Sequence, residues 1–495
     1  MNYYSTRDSE RKIAKTSAEV IKQGIADDGG LFMPESIPEI NLDYIKGLCD
    51  KSYIERATEV LSLYLTDYTK EELLKAASAA YAEDKFIGGA APVSALGDNI
   101  RVLELWHGPT CAFKDMALQI MPRLLSMALD KTGEKRQAVI LVATSGDTGK
   151  AALEGYCDVD RVKICVFYPN DGVSDMQKLQ MASQKGENVY VCAINGNFDD
   201  AQTGVKKIFS DKSIAEALNE KGYFLSSANS INWGRLAPQI VYYISAYCDL
   251  VAGGDIKLGE EIDVAVPTGN FGNIFAAYLA KKMGLPIRNL VCASNKNNIL
   301  TDFLETGTYD RNRAFYTTMS PSMDILISSN LERLLYCVAG AEKTRGYMEA
   351  LSKDGKYTVE AEVFAEIKKS FLGFYSDEEK TAKTIKNVFD NYSYIVDPHT
   401  AVGIGAAMDA YKNDGVKIVT ASTASPYKFP YDVIESLGEK ASDNAFECLD
   451  KLSALTSTDI PAPLARLKNA EVRFKETVGR ETAELWAAAE RFITK

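Results

Sequence analysis

Ile262-Asp263-Val264-Ala265-Val266 runs directly into Pro267-Thr268-Gly269-Asn270-Phe271-Gly272-Asn273, and that loop into the apolar-periodic stretch from Ile274 to Met283. The first segment reads as a strand and the last as a helix, with two glycines between them that let the backbone approach a ligand closely. Free N–H groups at the helix start, reinforced by the helix dipole, suit a dianionic phosphate. Read alone, the loop is equally a structural turn, because glycine-rich strand-to-helix connections are common.

The alternation repeats along the chain. Ala138 to Thr144, Val162 to Tyr168, Asn188 to Ile194, Leu290 to Ser294 and Val416 to Thr420 are short β-branched runs separated by helical periodicity. Strands alternating with helices predict an α/β fold with parallel sheets and ligands at the carboxyl ends of the strands. Before Pro92 the pattern is helical: Ala18 to Gln23, Leu42 to Cys49, Tyr53 to Tyr64 and Lys70 to Ala82 carry apolar residues at three- and four-residue spacing. The expected organisation is a helical N-terminal region (1–95), a smaller α/β lobe (96–250) and a larger one (251–495). The larger lobe is expected to carry a tyrosine-rich helical insertion at about 301–390 and a helical tail from Leu452 to Lys495.

At 495 residues the chain is too long for one ordinary core, which agrees with separate lobes. A net charge of −12 without a long basic run argues against nucleic acid as the main partner. The first eight residues lack the apolar core of a signal peptide, and the apolar stretch from Leu236 to Val251 is interrupted by Pro238 and Asp249. A cytoplasmic protein that does not span a membrane is therefore expected. Nine cysteines are scattered with no Cys-x-x-Cys pair, so no metal site is expected. The only two histidines, His107 and His399, leave acid–base chemistry to another residue type.

Two further loops carry chemistry. Thr144-Ser145-Gly146-Asp147-Thr148-Gly149 follows a strand and precedes a helix, so its N–H groups form a second anion pocket. A nucleotide-binding P-loop reading of Gly149-Lys150 fails, because the first glycine falls at Thr144 and Ala151 replaces the metal-binding hydroxyl. The third loop is Trp106-His107-Gly108-Pro109-Thr110-Cys111-Ala112-Phe113-Lys114-Asp115. An isolated lysine is ordinarily a solvated charge. Lys114 follows a rigid Gly-Pro turn and an aromatic residue within an apolar run, a setting that depresses an amine's pKa and makes it nucleophilic.

These three loops, in this order, resemble those of the threonine synthase family, pyridoxal-phosphate lyases of fold type II (tryptophan synthase β-like). The resemblance extends to Tyr4-Ser5-Thr6-Arg7, Asp28 to Pro34, Ser227 to Trp233 with Arg235, and Ser422-Thr423-Ala424-Ser425-Pro426-Tyr427-Lys428-Phe429, and so spans nearly the whole chain. It implies that Lys114 forms a Schiff base with pyridoxal 5′-phosphate, with Phe113 close to the ring. Gly269, Asn270, Phe271, Gly272 and Asn273 would bind the cofactor phosphate, and Thr423 would face the pyridine nitrogen. Thr144, Ser145, Gly146, Asp147 and Thr148 would hold the substrate α-carboxylate, although related enzymes often have Asn at the position of Asp147. Asn229, Ser230 and Arg235 would bind the phosphate of O-phospho-L-homoserine.

Ser425 departs from the His of many relatives. His107 is expected to pack or hydrogen-bond and His399 to cap a helix facing the site. The implied reaction makes L-threonine and phosphate by γ-elimination and β-replacement, with the freed Lys114 amine moving the protons and the chain working as a monomer or homodimer. Another lyase of the same fold, a serine or threonine dehydratase or a phospho-lyase releasing ammonia, is the alternative.

Overall fold

Two sheets covered by helices form the two lobes of the molecule, whose structure, a computed structural model, describes residues 1–144, 146–171 and 173–495. The smaller sheet runs in the order Thr477–Val478, Val189–Ile194, Val162–Pro169, Gln137–Ala143 and Tyr223–Ser226, all parallel. The larger has the order Phe371–Tyr375, Ile287–Ser294, Ile262–Pro267, Ile418–Ser422, Ile100–Glu104 and Val93–Leu96. Its first five strands are parallel and the last pairs antiparallel at the edge. Central strands are buried on both faces: every residue of Ile262–Pro267 and of Ile418–Ser422 is buried, as helices on both sides require. The fold is the expected α/β architecture, two lobes built on largely parallel sheets with a helical N-terminal region.

The N-terminal helices begin where reciprocal caps hold their first turns. Thr16 with Glu19, Ser52 with Glu55 and Thr69 with Glu72 each satisfy two free N–H groups, so Ser17–Gln23, Tyr53–Tyr64 and Lys70–Ala80 start at defined residues. Ser17–Gln23 and Tyr53–Tyr64 pack on Trp233–Ala252, a helix buried on nearly every side, and Lys70–Ala80 packs on Tyr53–Tyr64. Pro238 lies inside that helix, and Asp249 near its end pairs with Arg56 at 2.5 Å. Among the described residues no helix is long and apolar enough to cross a membrane.

Three features depart from the sequence-based expectation. The strands Val93–Leu96 and Ile100–Glu104 straddle the expected boundary at residue 95 and belong to the larger sheet, because Ile100–Glu104 pairs with Ile418–Ser422 from the far end of the chain. The expected helical insertion contributes Phe371–Tyr375 as an edge strand of the larger sheet. Four apolar or aromatic residues around one glycine carry no period that separates a strand from a buried helical turn. The tail is not wholly helical and does not stay with the larger lobe: Thr477–Val478 extends the smaller sheet, and helix Thr482–Ile493 packs on helix Phe198–Ser210. Leu485, Ala488 and Ile493 there complete an apolar layer under that sheet.

Helix Asp147–Tyr156 crosses helix Asp115–Leu118, immediately after Lys114, at Gly155, where a Cβ would lie 1.8 Å from the Leu118 carbonyl oxygen. Neither backbone can retreat without moving a candidate site loop. Gly155→Ala is expected to lower stability by about 1–3 kcal/mol, the usual cost of overpacking. Denaturant unfolding checks this; an unchanged midpoint would refute the close crossing.

Candidate active site

Four loops at the carboxyl ends of strands converge between the lobes: 105–114 after Ile100–Glu104, 144–147 after Gln137–Ala143, 268–272 after Ile262–Pro267, and 423–428 after Ile418–Ser422. Two of them are stitched together by backbone. The Phe113 N–H donates to the Thr423 carbonyl at 2.8 Å, the Ser425 N–H donates to the Cys111 carbonyl at 3.1 Å, and Ala112 bridges Ala424. Trp106 Nε1 adds a 3.0 Å bond to Ser422 Oγ. The lysine and its loop are therefore held against a central strand.

Lys114 immediately precedes helix Asp115–Leu118 and is only 9% exposed. Its Nζ donates to Ser322 Oγ at 3.1 Å, lies 3.6 Å from Asp147 Oδ2, and is 5.7 Å from the centre of the Phe113 ring. Burial pushes its pKa down to about 8, and Lys428 and Arg235 act in the same direction against Asp147. Asp147 is the first residue of helix Asp147–Tyr156 and pairs with Lys428 Nζ at 2.6 Å while accepting from Gln177 Nε2 at 2.8 Å. Burial opposes its charge, but the two lysines and these hydrogen bonds hold it well below the usual carboxylate range.

Around Asp147, Thr144 is buried, and its Oγ1 accepts from the N–H groups of Gly146 at 3.0 Å and Gly149 at 2.9 Å, which shapes the loop. Thr148 is half-buried. Ser145 lies outside the described residues. Lys150 turns away to Glu154 at 2.9 Å, so the lysine of the rejected P-loop reading is engaged elsewhere.

In the 268–272 loop, Phe271 adopts a left-handed backbone (φ 62°), which a non-glycine residue tolerates only when its surroundings impose it. A segment with no regular periodicity supplies the constraint. Ser328 Oγ donates to the Gly269 carbonyl at 2.7 Å, and Asn330 donates twice to the Asn270 carbonyl, from its N–H at 3.1 Å and its Nδ2 at 3.0 Å. A Cβ at Gly269 would stand 2.9 Å from the Ser322 carbonyl oxygen, so this loop and the residue contacting Lys114 touch. Asn273 is buried in the first turn of helix Gly272–Met283. Its Oδ1 accepts from Tyr242 at 2.7 Å and from Tyr243, while its Nδ2 has no partner among the described residues.

Arg235 is the third residue of helix Trp233–Ala252, buried to 6%, and spends one N–H on the Ala228 carbonyl at 3.0 Å. Burial lowers its pKa to about 10, and it has no carboxylate partner among the described residues. Ser230 is half-buried and accepts from Asn330 Nδ2 at 3.1 Å; Asn229 is exposed at the rim. Thr423 is buried beside the lysine loop.

Several site residues escaped the sequence reading. Ser322, Ser328 and Asn330 come from the irregular stretch between helices, which has no pattern to announce them. Lys428 follows a strand, so the carboxyl-end rule pointed to it, but its role needs Asp147 in space. His399 does sit in the first turn of a helix, Pro398–Ala410, where Asp397 is the cap. Its Nδ1 faces Asp397 Oδ2 at 2.7 Å and its Nε2 accepts from the Ser322 N–H at 3.1 Å, which steadies the serine that contacts Lys114. His107 stacks on Trp106 and bonds Glu104 at 2.6 Å and the Ile87 carbonyl at 2.8 Å. Ser425 caps the short turn Pro426–Lys428.

A depressed buried amine, a glycine loop opening a helix with an amide unpartnered among the described residues, and a buried guanidinium with no carboxylate partner among them have the chemistry to hold an aldehyde-bearing phosphorylated cofactor and an anion. Residues 90–421 match the family described as Pyridoxal-phosphate dependent enzyme, and the cofactor of this class is pyridoxal 5′-phosphate. Residues 2–81 match Threonine synthase N terminus and 400–489 match Threonine synthase, C-terminal, so the chain belongs to the threonine synthase family. It is 40% identical over 444 residues to threonine synthase of Pseudomonas aeruginosa, covering 88% of this chain and 90% of that one. It is also 40% identical over 443 residues to threonine synthase-like 1 of Homo sapiens, covering 87% of this chain but only 59% of the longer relative. The crystal structure of pyridoxal-phosphate-bound threonine synthase from Brucella melitensis superposes with a TM-score of 0.88 at 36% identity, covering 100% of this chain and 99% of that one.

The low pKa of Lys114 has a direct reading. Its amine should be half neutral near pH 8, against about 10.4 for a free lysine. Labelling of Lys114 by acetic anhydride in the apoenzyme, followed by peptide mass spectrometry, is expected to rise through that pH and level off above it. A midpoint near 10 would contradict the buried setting.

Proposed function

We propose that this protein converts O-phospho-L-homoserine and water into L-threonine and phosphate in the cytoplasm, as a monomer or homodimer. The observation that carries the reading is a pair of separate anion-seeking groups in one cleft: the 268–272 loop with Asn273 Nδ2, and the buried Arg235, which has no carboxylate partner among the described residues. A cofactor phosphate accounts for the first. The second calls for a substrate that brings a phosphate of its own, which the substrate of a serine or threonine dehydratase lacks.

When bound, pyridoxal 5′-phosphate supplies an electron sink for charge developing on the substrate carbons. Lys114 holds the cofactor and, once freed by the substrate amine, carries protons to and from the carbon skeleton. Ser322 Oγ at 3.1 Å keeps the Lys114 amine aimed while it is detached. Phe113 would lie beside the bound ring, and Thr423 would offer its neutral hydroxyl as a hydrogen-bond donor to the pyridine nitrogen. Gly269, Asn270, Phe271, Gly272 and Asn273 hold the cofactor phosphate.

The loop formed by Thr144, Ser145, Gly146, Asp147 and Thr148 would hold the substrate α-carboxylate. The Asp147 charge does not repel that carboxylate, because Lys428 cancels it at 2.6 Å. Asn229, Ser230 and Arg235 grip the substrate phosphate, which leaves from the γ-carbon while water enters at the β-carbon. Burial makes the Arg235 contact strong, since water no longer competes for the guanidinium.

Purified protein is expected to show visible absorbance from the lysine-linked cofactor and to release phosphate and threonine in equal amounts from O-phospho-L-homoserine. Release of phosphate with a 2-oxo acid and ammonia instead would reassign it to another lyase of this fold. Arg235→Ala is expected to keep the cofactor and lose about two orders of magnitude in kcat/KM, the usual cost of deleting a buried charged contact. An unaffected kcat/KM would remove Arg235 from the phosphate site.

A further inference from the structure

Lys428 has no chemical task in the reaction above, yet it is buried more completely than Lys114, at 1% against 9% exposed. An ammonium so placed needs an anion and hydrogen bonds in place of water. Lys428 Nζ finds them in Asp147 Oδ1 at 2.6 Å and the Thr110 carbonyl at 3.0 Å. The other oxygen of the same carboxylate, Asp147 Oδ2, is 3.6 Å from Lys114 Nζ. One carboxylate thus stands between two lysines, and the shorter contact belongs to the one without a reaction to perform.

We propose that Lys428 is a positioning residue: by occupying Asp147 it keeps that carboxylate from fastening Lys114 as an ammonium, leaving the Lys114 amine free to join the cofactor and to accept protons. The inference rests on Lys114 being the cofactor-linked lysine. It deepens that reading by naming what keeps the amine reactive.

The other groups around Lys114 leave this task to Lys428. From helix Trp233–Ala252 comes a second cation, Arg235, which disfavours the ammonium but cannot occupy Asp147, to which it makes no ion pair or hydrogen bond. From the Pro321–Met323 turn comes only the neutral Ser322 hydroxyl, backed by His399 and Asp397. The adjacent carboxylate, Asp115, is turned away and engaged by Thr110, through its N–H at 2.8 Å and its Oγ1 at 2.7 Å. Around Lys428 and Asp147 the remaining neighbours are Gln177, which donates to Asp147 at 2.8 Å, and the Cys111 thiol, which burial pushes up to about 12 and so keeps neutral. Asp147 is the single carboxylate in ion-pair range of Lys114 among the described residues.

The Thr110 contact adds a geometric part. Thr110 belongs to the lysine loop, so Lys428 joins that loop to the helix bearing Asp147 and fixes the separation of Lys114 from the carboxylate. Without Lys428 the two would be a one-to-one buried pair, and Lys114 would lose one of its two cationic neighbours as well. Both changes favour the ammonium. Burial first, with Lys428 and Arg235 acting against Asp147, holds the amine's pKa at about 8, a level at which a loss of this kind removes most of the neutral form at neutral pH.

The test uses apoenzyme prepared from the purified holoenzyme, with acetic anhydride labelling of Lys114 across pH as the readout. Lys428→Met is expected to move the labelling midpoint up by about one unit or more, the scale of a lost neighbouring charge. It should also slow the return of visible absorbance on adding pyridoxal 5′-phosphate at neutral pH by about tenfold, one unit of pKa being a tenfold change in the neutral fraction. Lys428→Arg should stay near the wild type, and Lys428→Met combined with Asp147→Asn should return toward it, since a purely structural role would not be rescued by deleting the carboxylate. Should Lys428→Met fail to fold, Lys428→Gln, which keeps a donor for the Thr110 carbonyl, must show the same upward shift. A midpoint that stays put or falls overturns the proposal. Borohydride reduction and peptide mapping of the wild-type holoenzyme separate the two ideas: a labelled lysine other than Lys114 sinks the assignment beneath it, whereas Lys114 labelled with an unmoved midpoint sinks only the role of Lys428.

Discussion

The Lys428–Asp147 pair at 2.6 Å is the contact on which the site's electrostatics depend, because it decides how many uncompensated charges the interior must carry. Four cationic side chains, Lys114, Arg235, Arg333 and Lys428, are buried in or near one cleft. Cations are buried at a cost of several kcal/mol each unless partners replace their water. Asp147 compensates Lys428 and leaves Lys114 at the edge of neutrality. Arg333 is satisfied by carbonyls of Phe32 and Ile231 and by Asn330, whereas Arg235 holds a single carbonyl. The same residue type in two neighbouring places is thus spent on structure in one, while in the other most of its donors have no protein partner among the described residues.

That division reaches back into the N-terminal region. Thr6 Oγ1 donates to Glu332 at 2.6 Å and Arg7 grips the same carboxylate with two bonds of 2.9 Å. Glu332 stands between Arg333 and the segment bearing Ser328 and Asn330, which in turn hold the carbonyls of Gly269 and Asn270. The motif at Tyr4 to Arg7 therefore supports the 268–272 loop through an intermediary and touches none of the proposed ligand contacts itself. Rigid placement of this kind favours binding, because a cradle that is already shaped loses little conformational freedom when an anion arrives.

Much of the fold was legible in the chain, since hydrophobic period and caps are local properties. The helices Leu42–Cys49 and Tyr53–Tyr64 and the strands beginning at Val162 and Ile262 fall where apolar spacing and capping residues put them. Phe371–Tyr375 and Thr477–Val478 were not legible as sheet members. Each is a short edge segment, defined by backbone bonds to one remote neighbour and not by any two-residue alternation of its own. The lobe boundaries were missed for the same reason, as Ile100–Glu104 pairs with a strand more than 300 residues later.

By itself the sequence determined the three glycine- and lysine-bearing loops and their positions after strands, because turn chemistry and helix starts are set by neighbouring residues. It also determined the family, through the order of those loops. Only the tertiary structure decided which residues surround Lys114. Ser322, Asp147 and Lys428 come from segments far apart in the chain, and their effect on one amine depends on distances of 3.1, 3.6 and 2.6 Å. Charge and hydrogen-bond energies fall steeply with separation, and separation across a cleft is a property of packed lobes that no local pattern encodes.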